Sequence, residues 1–140
     1  MAAPLDPIAL GLPHREPFVF IDAVTELIRG EHATAVKTFA ASEPMFRGHF
    51  PGEPIVPGVI LTEALAQLAG IVSGNTGRAL RLAAIKSMKF PSAARPDEEI
   101  TLMAKFAGAV GGLVQCSVEA KVGDRSVADG VIVLAESPAA

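Results

Sequence analysis

The sequence predicts an α+β fold in which a curved antiparallel sheet wraps around one long central helix. Three observations carry that expectation. Residues 59–74, VILTEALAQLAGIVSG, contain no Pro and are apolar nearly all round, so this helix must be enclosed by protein and has no wet face. Residues 100–135 alternate apolar and polar side chains in successive blocks, the period of half-buried strands. Those blocks are joined through Gly108 and Gly111-Gly112, and through Gly123-Asp124, which is hairpin chemistry.

Taken in order, Phe18 to Ile28 follows a Pro and is rich in Phe, Val and Ile, which predicts a first strand. Ala33 to Phe39 predicts a second, with imperfect alternation. GHFPGEPIVPG, residues 48–58, places three Gly and three Pro in eleven positions, so it reads as a stiff loop without regular structure. The helix follows at once and stops at Ser73-Gly74-Asn75; sixteen residues span roughly 24 Å. Leu80 to Phe90 supplies a strand preceding a three-strand meander. In that meander Ile100, Leu102, Ala104 and Phe106 form one face, then Val114, Cys116, Val118, Ala120 and Val122, then Val127 to Ala135.

The 140 residues suit a single domain spanning 1–140, without repeats or an internal linker. Twelve Lys and Arg against fifteen Asp and Glu give a net charge of -3, so no whole-domain basic field favours nucleic acid. The lone Cys116 makes no internal disulfide, and no Cys and His spacing suits a metal. The N-terminus lacks the pattern of a secretory signal. The longest apolar run, Val59 to Val72, is broken by Thr62, Glu63 and Gln67 and is shorter than the ~20 residues of a membrane span. The expectation is a soluble, cytoplasmic protein in a reducing compartment, acting on neither nucleic acid nor membrane.

Three features could carry chemistry. His49 sits between Gly48 and Phe50 in the Pro-restrained loop, whereas His14 lies in a Pro-flanked approach and His32 at a polar strand start. An imidazole is the commonest proton carrier near neutrality; a loop His bonded to backbone is the bland alternative. Glu63 is a carboxylate on an otherwise greasy helix, costly to bury without a partner. Gln67, one turn later, shares its face and could line the same polar slot; a salt bridge or a surface position would explain Glu63 equally simply. At the helix start, Pro57-Gly58 leaves backbone N–H groups unpaired where a developing negative charge would be stabilised, though an ordinary helix entry looks the same. Finally, Arg78, Arg81, Lys86, Lys89 and Arg95 occur without an intervening acidic residue, either a patch for an acidic partner or phosphate, or a solvated strand face.

LPHREPFVFID and FRGHFPGEPIVPGVILTEALAQLAGI, with weaker similarity through AIKSMKF and beyond, closely resemble the (3R)-hydroxyacyl-[acyl-carrier-protein] dehydratases of type II fatty acid synthesis, which are hot-dog-fold enzymes. The resemblance implies elimination of water from a 3-hydroxyacyl thioester to a trans-2-enoyl thioester, without metal or redox cofactor, the acyl group riding on the phosphopantetheine of an acyl carrier protein. It implies that His49 takes the C2 proton, that Glu63 helps the C3 hydroxyl leave, and that Gly58 donates its N–H to the thioester carbonyl. Phe50, Pro57, Val59 and Gln67 would line the substrate pocket, and the basic residues 78, 81, 86, 89 and 95 would meet the carrier. In that family the two catalytic residues come from different protomers, so a homodimer, or a trimer of dimers, is implied. Glu rather than Asp at 63 points to the non-isomerising type. The chain departs from the family at Glu16, where an aromatic is usual, and at Pro91-Ser92-Ala93-Ala94-Arg95-Pro96-Asp97, which lacks the family's Gly and borders the tunnel mouth. A hot-dog thioesterase and a non-catalytic acyl-binding subunit are the competing readings.

Overall fold

The computed structural model describes residues 4–74 and 79–136. Its elements run β1 (Ala23–Ile28), β2 (His32–Thr38), a 3-10 turn (Pro44–Arg47), α1 (Gly58–Ser73), β3 (Leu80–Lys89), β4 (Glu99–Val110), β5 (Leu113–Val122) and β6 (Arg125–Glu136). The strands make one antiparallel sheet in the order β1-β2-β4-β5-β6-β3, and α1 packs against β2 to β6, most extensively against β4. This is the hot-dog arrangement.

The packing follows from side-chain size. Leu61, Leu65, Leu68 and Val72 of α1 are at most 2% exposed. The sheet positions that enclose them alternate as the pleat requires: Ala33 and Ala35 on β2, Ile100, Leu102 and Ala104 on β4, Cys116, Val118 and Ala120 on β5, Ile132 and Leu134 on β6. The register sets small residues beside larger ones, Ala35 opposite Leu102, Leu102 opposite Ala120 and Val118 opposite Gly130. Each fully buried Leu or Ile contributes about 1.5–3 kcal/mol relative to exposure.

The end of the helix is tied down by a residue far away in sequence. Arg29, in the β1–β2 turn, donates to Ile71 O at 3.1 Å, Gly74 O at 2.8 Å and Leu10 O at 2.8 Å, and Gly30 N–H donates to Val72 O at 2.8 Å. The bonds to Ile71, Val72 and Gly74 satisfy carbonyls that the helix end leaves unpaired, and the bond to Leu10 ties the N-terminal segment to the same guanidinium.

One element differs from the sequence reading, and another takes a place in the sheet that the reading left open. The first strand begins at Ala23, not Phe18. The backbone groups of Phe18 and Phe20 bond to the Gln67 side chain of α1, so they are not available to a sheet ladder. The Leu80–Lys89 strand does not adjoin β4, the next strand in sequence. It crosses to the far edge and pairs with β6, Arg81 opposite Ala135 and Lys89 opposite Asp129. Among the described residues, no helix is long and apolar enough to cross a membrane.

The β3–β6 contact has little room. Near the irregularity that shifts the register between Ile85 and Ser87, a Cβ at Gly130 would overlap the Ser87 carbonyl oxygen and lie 2.9 Å from Met88 Cα. Backbone cannot yield as a flexible side chain can, so Gly130→Ala should destabilise the fold by about 1–3 kcal/mol, the range typical of overpacking. A thermal melt followed by circular dichroism would reveal the loss.

Candidate active site

The loop before α1 is held by its own backbone. His49 N–H donates to Met45 O at 3.0 Å, Ile55 N–H to His49 O at 2.9 Å and Glu53 N–H to Phe50 O at 3.0 Å, with a cis peptide between His49 and Phe50. Three prolines restrict what these bonds do not. Below the loop, Val56 N–H donates to Ala94 O at 2.8 Å. Ala94 belongs to the stretch 91–97 and is fully buried. Arg125 fixes that stretch by donating to the Ala93 carbonyl and to Glu98 Oε2 at 3.1 Å, while Ser92 Oγ donates to Ser126 O at 2.7 Å. The segment that departs from the family pattern therefore props the His49 loop.

The half-buried His49 ring stacks on Phe50, centroids 4.3 Å apart, and its Nδ1 lies 3.2 Å from Ile55 O. A carbonyl oxygen can only accept, so Nδ1 carries the hydrogen and Nε2 keeps its lone pair. The loop thus presents a proton acceptor in a fixed orientation.

Glu63 lies on the second turn of α1 with 21% of its side chain exposed. Its Oε2 accepts from Gln67 Nε2 at 3.1 Å and is 3.4 Å from His14 Nε2. Gln67 is 1% exposed, and its amide is fully engaged: Nε2 also donates to Phe18 O at 3.0 Å, and Oε1 accepts from Phe20 N–H at 2.9 Å. The expected polar slot on the helix is present, but its third member, His14, was not expected there. Sequence reading had only a spacing of 49 residues between His14 and Glu63, and no local periodicity reports a contact of that kind. Among the described residues, His49 and Glu63 share no hydrogen bond or ion pair within the chain.

At the helix start, Ile60 and Leu61 N–H both turn back to Pro57 O, at 3.0 and 3.2 Å. Gly58 N–H has no backbone acceptor among the described residues. A Cβ on Gly58 would come within 3.0 Å of the Phe90 ring, so only glycine leaves this end open beside that ring. A cleft of about 350 Å³ begins there, lined by Ile55, Val56, Gly58, Leu61, Phe90 and Val127. A second, of about 310 Å³, is lined by Leu12, Pro13, His14, Ala66, Gln67 and Gly70. Phe50 and Val59 project into solvent, 54% and 75% exposed, whereas Pro57 is half-buried.

Of the basic residues, Arg81, Lys86 and Lys89 are exposed along the edge strand β3, with no acidic partner among the described residues. Arg95 stands apart, 3.8 Å from Glu53. Arg78 lies outside the described residues. Burial raises the Cys116 thiol above its ordinary range, only partly offset by its contact with Ser73 Oγ, so this Cys is an inert part of the core.

Residues 12–131 match the family described as FabA-like domain. The chain is 42% identical over 132 residues to the 3-hydroxyacyl-[acyl-carrier-protein] dehydratase FabZ of Ruminiclostridium cellulolyticum, covering 91% of this chain and 93% of that one. It is 39% identical over 131 residues to the protein of the same description from Caldanaerobacter subterraneus, covering 89% and 93%. Among solved structures it is similar to a chain of the dehydratase heterocomplex ApeI:P of Xenorhabdus doucetiae, with a TM-score of 0.77 at 13% identity over 99% of this chain and 93% of that one. A hypothetical thioesterase of Streptococcus pneumoniae with coenzyme A gives 0.65 at 15% identity over 81% and 84%. At such identities the structures speak to the fold alone.

Gln67 ties the N-terminal segment to α1, and replacing it with Leu strands the part-buried Phe20 N–H and Phe18 C=O. Gln67→Leu should lose about 1–3 kcal/mol, the usual cost of leaving a hydrogen-bonding group without its partner. Equilibrium urea unfolding would measure it.

Proposed function

Because this chain belongs to the FabA-like family, we propose that it dehydrates 3-hydroxyacyl-[acyl-carrier-protein] thioesters to trans-2-enoyl thioesters, with His49 as base and Glu63 as acid. The observation that carries the role of His49 is its bond to Ile55 O, which in the neutral ring commits the hydrogen to Nδ1 and leaves Nε2 to accept.

The chemistry follows from that geometry. The thioester carbonyl docks on the Gly58 N–H, where the helix start stabilises charge as it builds on oxygen. His49 Nε2 takes the C2 proton, the C2–C3 double bond forms, and the C3–oxygen bond breaks. Glu63 gives its proton to the departing hydroxyl, which leaves as water. One proton has entered the imidazole and one has left the carboxyl, and exchange with solvent restores both. In the proposed dimer, Pro57 and the outward-facing Phe50 and Val59 would supply apolar walls around the acyl chain.

The same reading takes a homodimer in which each base faces the partner's acid, in keeping with the lack of any hydrogen bond or ion pair between His49 and Glu63 among the described residues. Trimers of dimers are a further expectation of the same reading. The substrate arrives on the phosphopantetheine of an acyl carrier protein, and no metal or redox group is called for. Arg81, Lys86 and Lys89, exposed on the β3 edge without an ion pair among the described residues, offer an acidic carrier a landing surface, with Arg95 at one side and Arg78 expected nearby in sequence.

Purified protein given a 3-hydroxyacyl thioester should form the conjugated enoyl product, read by ultraviolet absorbance and mass spectrometry. Each of His49→Ala and Glu63→Gln should slow turnover by about 100- to 10,000-fold without unfolding the chain, the usual worth of a positioned proton-transfer group. Full rate in both variants would remove the assigned roles, and release of free thiol would identify a thioesterase instead. Paired Lys86→Glu and Lys89→Glu changes should lower kcat/KM about tenfold for the carrier-bound substrate, less at high salt, and leave a pantetheine thioester unaffected.

A further inference from the structure

Glu63 is braced unevenly. Gln67 Nε2 donates to Oε2 at 3.1 Å, and His14 Nε2 lies within ion-pair distance of the same oxygen, at 3.4 Å. Oε1 has no partner among the described residues. The imidazole of His14 can be oriented further, because its Nδ1 is buried without a hydrogen-bond partner. A hydrogen there would be a stranded donor, so the ring hydrogen belongs on Nε2, the nitrogen nearer the carboxylate.

The ring is held in place from several sides. It stacks on Phe18, centroids 6.0 Å apart at 24°, and Phe18 packs on Phe20 at 4.7 Å and Phe20 on Phe39 at 6.1 Å, which leads into the core. Arg15 donates to Leu12 O and His14 O, each at 2.8 Å, and so fixes the backbone that carries the ring. His14 thus reaches Glu63 from a segment secured both by aromatic packing and by the Gln67 amide.

We infer that His14 is a positioning residue for the dehydration proposed above: with Gln67 it engages Oε2 of Glu63, so that the transferable proton resides on Oε1 and leaves from that atom alone. The Gln67 N–H bonded to Oε2, with the His14 nitrogen close beside it, competes with a proton for the lone pairs of that oxygen, whereas Oε1 is free to hold it. A proton confined to one oxygen and one direction meets the leaving hydroxyl without a search through carboxyl rotamers. The inference rests on the dehydratase reading but assigns a separate residue, one outside the His49 loop and outside α1.

The test replaces the ring while preserving or deleting the nitrogen. His14→Gln puts an amide nitrogen at the same number of bonds from Cβ as Nε2. His14→Phe keeps the stacking on Phe18 without any nitrogen, and His14→Asn keeps an amide that stops one bond short. Steady-state dehydration of a 3-hydroxyacyl pantetheine thioester is measured for each, with thermal melting as a check on the fold. Phe and Asn should lower kcat about 10- to 100-fold with KM within about twofold, and Gln should recover to within about threefold of the unaltered protein, since misplacement of a reacting group by about 1 Å costs that order of rate. Full kcat in the Phe or Asn variant, or a Gln variant as slow as they are, would overturn the positioning role while leaving the dehydratase reading intact. An unaltered protein that forms no enoyl product would overturn the dehydratase reading, and this inference with it.

Discussion

A single buried carboxamide holds the active region together. Gln67 is almost without exposure, yet it binds the carbonyl of Phe18, the amide of Phe20 and the carboxylate of Glu63. Buried polar groups are tolerated when every donor and acceptor is matched, and here the matching has a structural product. The N-terminal segment is drawn off the sheet and laid along the helix, which brings His14 to Glu63 and carries the aromatic series Phe18, Phe20 and Phe39 beside it. An apolar residue at 67 would pack as well against the core and would remove the reason for the segment to be there.

Much of the fold was legible in the sequence because its signals are local. The Pro-free apolar run gave α1 to within a residue at each end, since a helix enclosed on all sides needs no amphipathic pattern to be recognised. The period-2 blocks after residue 98 gave β4, β5 and β6, and glycine pairs gave their turns. What escaped was non-local. Phe18 and Phe20 look like strand residues by composition, but a side chain 47 to 49 positions away captures their backbone. The displacement of β3 to the outer edge depends on which strand reaches it first in space, and Ala-rich, bulged β3 has no pattern that names its partner.

The candidate site divides in the same way. His49, Glu63 and Gly58 stood out because each is anomalous in its own neighbourhood: an imidazole among prolines, a charge on a greasy rod, a glycine at a helix start. His14 has no such anomaly, and its contact with Glu63 exists only once α1 and the N-terminal segment dock. The Ser92–Asp97 stretch is similar. Its departure from the family motif was visible, but its support of the His49 loop through the Ala94 carbonyl and the Arg125 guanidinium required coordinates.

The order of the elements along the chain has a consequence for biogenesis. The helix is complete at Ser73, but the strands that enclose it end only at Glu136. At the usual pace of translation, about 5–20 residues per second, roughly 60 further residues take several seconds to emerge. Early in that interval the apolar helix has only the small β1–β2 hairpin beside it, and its cover grows as β3, β4 and β5 follow. Holding chaperones, or a neighbouring nascent copy, would find their strongest target in this incomplete intermediate.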